Sequence, residues 1–258
     1  MRYDSTTGLD AEQLTELICR IWQIVAGRGE VSGRPVLLNI REQVVMTLIL
    51  LRQNVNQATI ADMFGVSQPT ISRAYRRIVP LIEQACCLSG VCLKTAIQGR
   101  VVLVDGTDVP TGNRAVTGRA NYSGKRHRQG LNVQVASDVN GNLLCVSDPT
   151  PGARHDRATI SLCGWEPILD NAEWIADPAY VGTTAVTPRK KFHHGQHDDN
   201  TRTANRYISS IRSAVERCIA HWKNWKILKT GRLMQNSGRA SQKPWSEARS
   251  LGVRGDFA

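Results

Sequence analysis

The sequence predicts a mixed helix-and-strand protein, α+β or α/β, with a helical part first and a sheet flanked by helices after it. Three observations carry this. The first hundred residues repeat apolar side chains at helical spacing, residues 101–176 change to short runs with strand-like alternation, and a long amphipathic pattern follows through Arg212, Glu216 and Lys223. The expected division is residues 1–98 helical, with a helix-turn-helix at about 57–82, residues 99–230 built on the sheet, and residues 231–258 an atypical, poorly ordered tail.

In Leu9–Val25 the apolar residues Leu14, Leu17, Ile18, Ile21, Trp22 and Val25 mark one helical face. Asn39 stands three residues before Glu42, the spacing of a capping box, and opens a second helix apolar enough to be the centre of a small bundle. Next, Ile60, Ala61 and Phe64 form a short apolar face, Gly65 supplies a turn, and Ser67 precedes a helix that tolerates Pro69 in its first turn. Ile71, Tyr75, Ile78 and Ile82 then face inward, which leaves Gln68, Thr70, Ser72, Arg73, Arg76 and Arg77 on the outer side. That is a helix-turn-helix whose second helix offers polar residues to base edges and arginines to phosphates; the alternative is a plain helical hairpin with a solvated charged face.

From Gly99 the period becomes that of strands. Val101–Val104, Leu131–Ala136 and Asn142–Val146 read as three strands, the last two joined by a turn at Asp138–Gly141. A helix around Asp156–Cys163 leads to a fourth strand at Glu173–Ala176. The scattered cysteines never form a C-x-x-C pair, so they read as small apolar core residues rather than disulfides or zinc ligands.

The chemistry lies in three acids. Asp105 ends one apolar strand, Asp177 ends another, and Glu216 sits within the long helix. Carboxylates so placed can offer oxygen ligands to a pair of Mg²⁺ ions, with Mn²⁺ as a substitute, Asp105 bridging both and Asp177 and Glu216 each holding one. Arg212 and Lys223 share the helix face with Glu216; they would orient its carboxylate and hold a DNA phosphate, or simply form surface ion pairs. Lys125, Arg126, His127 and Arg128 make a basic knot beside Tyr122 that suits phosphate contacts, the alternative being a solvated hairpin. Asp108 is left out because Val109-Pro110 signals a turn away, and Asp156 reads as a helix cap. His193, His194 and His197 lie in a polar loop placed to touch DNA, not in a zinc site.

A formal charge of +11 over 258 residues calls for a polyanionic partner, and the excess sits mostly beside the acidic trio. No apolar stretch approaches a membrane span and no signal peptide opens the chain, so a cytoplasmic protein is expected, on the nucleoid when bound to DNA.

Several ordered motifs carry a family likeness: V-D-G-T at Asp105, G-A-R-H-D around His155, D-x-x-Y-x-G from Asp177 to Gly182, and the spacing of Arg212, Glu216 and Lys223. Together they resemble the DDE transposases of bacterial insertion sequences, in the branch that includes Harbinger-type elements and carries an N-terminal helix-turn-helix. The likeness covers roughly Asn39 to Thr230. It implies an RNase H-like fold with Asp105, Asp177 and Glu216 as the metal-binding catalytic triad. It also implies cut-and-paste transposition: binding of terminal inverted repeats, metal-dependent cleavage and strand transfer on double-stranded DNA by a homodimer. In a neighbouring branch a Tyr belongs where Ser209 stands. The competing expectation is a catalytically inactive or truncated copy that only binds DNA. Sequences of this type usually continue past Leu228 with a further apolar helix, which is missing here.

Overall fold

A computed structural model describes residues 4–28, 37–87, 92–112, 118–189 and 198–229, and the structural statements below concern these residues. The His193–His197 loop and the tail from residue 231 lie outside them. Helix α1 (Asp4–Thr7) leads to α2 (Ala11–Ala26), where Asp10 and Gln13 form a reciprocal capping box. Helix α3 (Ile40–Gln53) opens with the expected box: Asn39 Oδ1 accepts from the Glu42 amide and Glu42 Oε2 from the Asn39 amide. Each pair satisfies amides that the first helical turn cannot bond internally. Helix α3 is central because two of its faces are apolar. Val44, Leu48 and Leu51 join one buried cluster, Met46 and Leu50 another.

Helices α4 (Gln57–Phe64) and α5 (Gln68–Cys87) form the helix-turn-helix. Gly65 between them has φ of 63°, a left-handed backbone that a side chain would strain. Ile71, Ile78 and Ile82 are buried as the spacing requires. The first helix differs in detail: Leu14, Leu17 and Ile21 are buried, but Trp22 is 61% exposed, because α2 rests on the bundle along a narrower stripe than its apolar content suggests. Likewise Cys86, Cys145 and Cys218 are core residues, whereas Cys19 and Cys92 are exposed.

After α6 (Leu93–Ala96) comes β1 (Val102–Pro110), the strand on which the sheet turns. The chain continues through α7 (Gly118–Asn121), β2 (Tyr122–Ser123), β3 (Arg128–Ser137), β4 (Leu143–Val146), β5 (Thr150–Pro151), α8 (Asp156–Leu162), α9 (Glu166–Leu169) and β6 (Trp174–Ile175), and then α10 (Asp199–Trp222). Strand β1 pairs antiparallel with β3 on one side and parallel with β6 on the other; β4 and β5 both pair with β3. A further parallel bridge joins Ile175 to Val186.

The first strand is longer than its apolar run. Asp105 is therefore inside β1, not at its end, because β3 provides partners as far as Pro110 opposite Gly130. Asp108, expected on a chain turning away, is a buried strand residue paired with Asn132, and Arg128 compensates its charge.

Alternation on β1 defines the layers. Val102 and Val104 face a cluster with Ile160, Trp174 and Tyr180, while Leu103 faces Ala214 and Val215 of α10. The α10 side also receives the N-terminal helices. Leu14 and Ile21 of α2, Val44 and Leu48 of α3, and Ile78 and Ile82 of α5 share one cluster with Val109, Val133 and Val135 of the sheet, and with Trp222, Trp225 and Leu228. Helical and sheet parts are thus joined by a common core. The described residues contain no helix long and apolar enough to cross a membrane.

Candidate active site

Asp105 lies on the α10 side of β1 by the same alternation that turns Leu103 to that helix. Its Oδ1 accepts from the Gly106 amide at 2.9 Å. Burial pushes its carboxyl up from 3.8 to about 6; Arg212 pulls it down, and the carboxylates of Asp177 and Asp156 push it further up.

The parallel pairing of β1 with β6 places Val102 beside Trp174 and Leu103 beside Ile175. Beyond this pairing β6 ends, and the Asp177 carboxylate stands near enough to push the Asp105 carboxyl up. Asp177 keeps extended backbone, φ −77° and ψ 170°, and its Oδ1 accepts from the Ala179 amide at 2.8 Å, capping the 3₁₀ turn Pro178–Tyr180.

Helix α10 lies across these strands. Arg212 has its Nε buried without a hydrogen-bond partner, and its charge favours ionised Asp105. Glu216, one turn further, is exposed. Asp105 and Asp177 are brought together and the Glu216 helix is packed over them, but the three carboxylates are not gathered: among the described residues no group of three His, Cys, Asp or Glu side chains could hold a metal ion. The donor chemistry of Asp105 and Asp177 nevertheless suits a hard divalent cation, since both offer oxygen only and their mutual repulsion is what a cation would relieve.

A further carboxylate belongs to this neighbourhood. Asp156 is the first residue of α8, and the capping position falls to His155, which makes no side-chain cap; the expected cap is therefore not the role of Asp156. Its Oδ1 accepts instead from Asn132 Nδ2 at 2.7 Å, over Gly106, where any Cβ would run into it. Gly106 in the D-G-T motif was the available signal, since a strand glycine often marks a close approach.

The basic residues divide. Lys125 and Arg126 are exposed on the turn between β2 and β3. Arg128 donates twice to Asp108 Oδ2, at 2.6 and 3.1 Å. Lys223 Nζ donates to the Asp108 carbonyl at 3.0 Å, and burial foremost, with Arg126 and Arg128, lowers its pKa. Residues separated in sequence thus meet as a basic cluster organised by Asp108. On the recognition helix Gln68, Arg73 and Arg76 are exposed and Thr70 is half-buried. Gln68 donates to Gln57 at 2.7 Å, Arg73 donates to Thr70 at 3.3 Å, and Arg76 donates to the Ser72 carbonyl at 3.2 Å. Arg77 is exposed, as its outward reading expects, and also donates to Gln43 Oε1 of α3.

Residues 104–243 match the family model described as DDE superfamily endonuclease, more than half of the chain. The chain belongs to this family. Residues 36–87 match the helix-turn-helix of DDE superfamily endonuclease, the segment occupied by α3, α4 and α5. This DDE endonuclease is also 29% identical over 205 residues to a Streptomyces albus G protein named "Putative transposase for insertion sequence element IS112", covering 78% of the present chain and 76% of that relative. No solved structure matches it. The DDE match runs beyond residue 231, into the segment expected to be an atypical tail.

Proposed function

We propose that this DDE endonuclease is the transposase of an insertion sequence, binding the terminal inverted repeats of its element, cutting there and joining the ends to target DNA as a homodimer. Residues 1–98 would recognise DNA and residues 99–230 would form an RNase H-like catalytic part. The observation that carries this reading is the approach of the Asp177 carboxylate to Asp105, just beyond a parallel strand pair and beneath the helix bearing Arg212 and Glu216. Strand order supports the fold: β1, β3 and β4 are successively antiparallel and β6 adds in parallel on the other side.

Asp105, Asp177 and Glu216 would hold the divalent cation, Mg²⁺ with Mn²⁺ as substitute. Such ions activate water and stabilise the leaving oxygen of a phosphodiester. The chain's own residues bind and orient the DNA around them. Arg212, its Nε buried and its charge acting on Asp105, would orient the carboxylates of the site. Arg126, Arg128 and Lys223 keep positive charge on the Asp108 flank, and the exposed face of α5 supplies recognition.

The test is cleavage of repeat-end DNA. Asp105→Asn, Asp177→Asn and Glu216→Gln should each lose metal-dependent cutting while retaining DNA binding, because each removes one ligand and leaves α5 intact. A variant that cuts at the wild-type rate is not part of the triad. A second reading, a DNA-binding protein without catalysis, draws on the exposed Glu216 and the ungathered carboxylates. Wild-type protein that binds repeats and never cuts them would decide for it.

A further inference from the structure

The turn that carries Asp177 is fastened to the strand that carries Asp105 by side chains on the opposite face of the sheet. Tyr180 closes the 3₁₀ turn capped by Asp177 and is fully buried, its ring edge-on to Trp174 with centroids 5.9 Å apart. Its hydroxyl donates to Gln134 Oε1. Gln134 is itself fully buried and stands opposite Gly106, the neighbour of Asp105. Its Nε2 donates to Asn132 Oδ1 at 3.4 Å, and Asn132 Nδ2 donates to Asp156 Oδ1 at 2.7 Å. Gly106 leaves the room this arrangement needs, because a Cβ there would overlap Asp156 Oδ1 and come within 3.2 Å of Gln134 Nε2.

Parallel pairing between β1 and β6 stops at Ile175, so no ladder hydrogen bond sets where Asp177 stands relative to Asp105. A buried phenol bonded to a buried amide fills that gap. The ring holds the turn in the core, and the hydroxyl fixes its rotation against β3 at the position level with the active-site strand.

We propose that Tyr180 is a positioning residue which, through Gln134 and the Asn132–Asp156 link, sets the spacing of the Asp105 and Asp177 carboxylates for cation binding. This rests on the metal-centre reading above. The phenol touches neither the DNA nor the ion; it acts through the turn.

The test compares full-length wild type with Tyr180→Phe, which keeps the ring against Trp174 and removes only the hydroxyl. Mn²⁺ affinity is read directly from the electron paramagnetic resonance of free ion, alongside cleavage of repeat-end DNA as a function of metal concentration, at a temperature well below the melting point of both proteins in EDTA. The expected result is Mn²⁺ affinity weakened about tenfold, the size usual when a group that orients a ligand is lost. Cleavage should shift to higher metal by a similar factor and recover at saturation, with DNA binding unchanged. Asn132→Ala breaks the link at a half-buried position outside the core and serves if Tyr180→Phe does not fold; it should move affinity the same way by a smaller factor. Unchanged affinity in Tyr180→Phe, or in Asn132→Ala where that variant stands in, overturns the positioning role alone. Wild-type protein that neither binds Mn²⁺ nor cuts overturns the metal-centre reading itself, and the positioning role with it.

Discussion

Asp105 is less comfortable ionised in the folded chain than in the unfolded one. Its folded value of about 6 stands above the ordinary 3.8, chiefly through burial. A pKa raised in the folded state means that stability is full below about pH 4, declines as pH climbs from about 4 to 6, and is flat above. The ionised carboxylate then costs at most about 3 kcal/mol, at 1.4 kcal/mol per unit. Asp105→Asn in EDTA should accordingly melt well above wild type at pH 7, with most of the gap closed at pH 4. An equal gap at both pH values in thermal melts would show that burial does not load this carboxylate. Asp105 was legible in the sequence because an acid after four apolar residues is conspicuous; its neighbours were less so. Asp156 looked like a cap since it opens a helical pattern, and only the fold shows its oxygen occupying the space left by Gly106. Val109-Pro110 reads as a turn away from Asp108, but proline is tolerated at a strand end and Arg128, twenty residues on, supplies the missing charge.

Helices announced themselves better than strands did. The Asn39–Glu42 capping box and the inward spacing of Ile71, Ile78 and Ile82 are local patterns, and α3 and α5 follow them closely. Strand β1 outran its apolar stretch because pairing partners on β3, not its own composition, carry it through Asp105-Gly-Thr-Asp108. At this scale belongs the prediction for α5. Replacing Arg73 by Ala should cost about 1–3 kcal/mol of discrimination between cognate and random DNA, the worth of a good base contact. Gln68→Ala should add to it while also loosening α4 against α5, since Gln68 bonds Gln57. Lys125→Ala with Arg126→Ala should instead weaken all DNA binding and flatten its salt dependence. Competition binding at several salt concentrations separates the two; equal loss of cognate and random binding in the Arg73→Ala/Gln68→Ala protein would remove α5 from base readout.

Across the molecule, the helix-turn-helix and the sheet are held in one buried cluster, with Trp225 at their junction. Trp225 is buried, Arg52 of α3 stacks over its ring at 5.3 Å, and Lys226 bonds Gln53. Trp225→Ala should therefore destabilise both parts together, by about 3–5 kcal/mol. Urea unfolding followed by probes in each part would then give one coincident transition, shifted to lower urea in the variant; two separate transitions in wild type would mean that the cluster does not couple them. Nothing in the sequence pattern pointed to this union, since an apolar stripe shows that a face is buried without naming what buries it. Period, caps and turns act over a few residues, so the order of helices, the helix-turn-helix and the candidacy of Asp105 and Asp177 could be read along the chain. The approach of Asp177 to Asp105, the meeting of Arg128, Lys223 and Asp108, and the exposure of Glu216 depend on contacts between segments tens of residues apart, where register and packing choose among partners that local chemistry leaves equivalent.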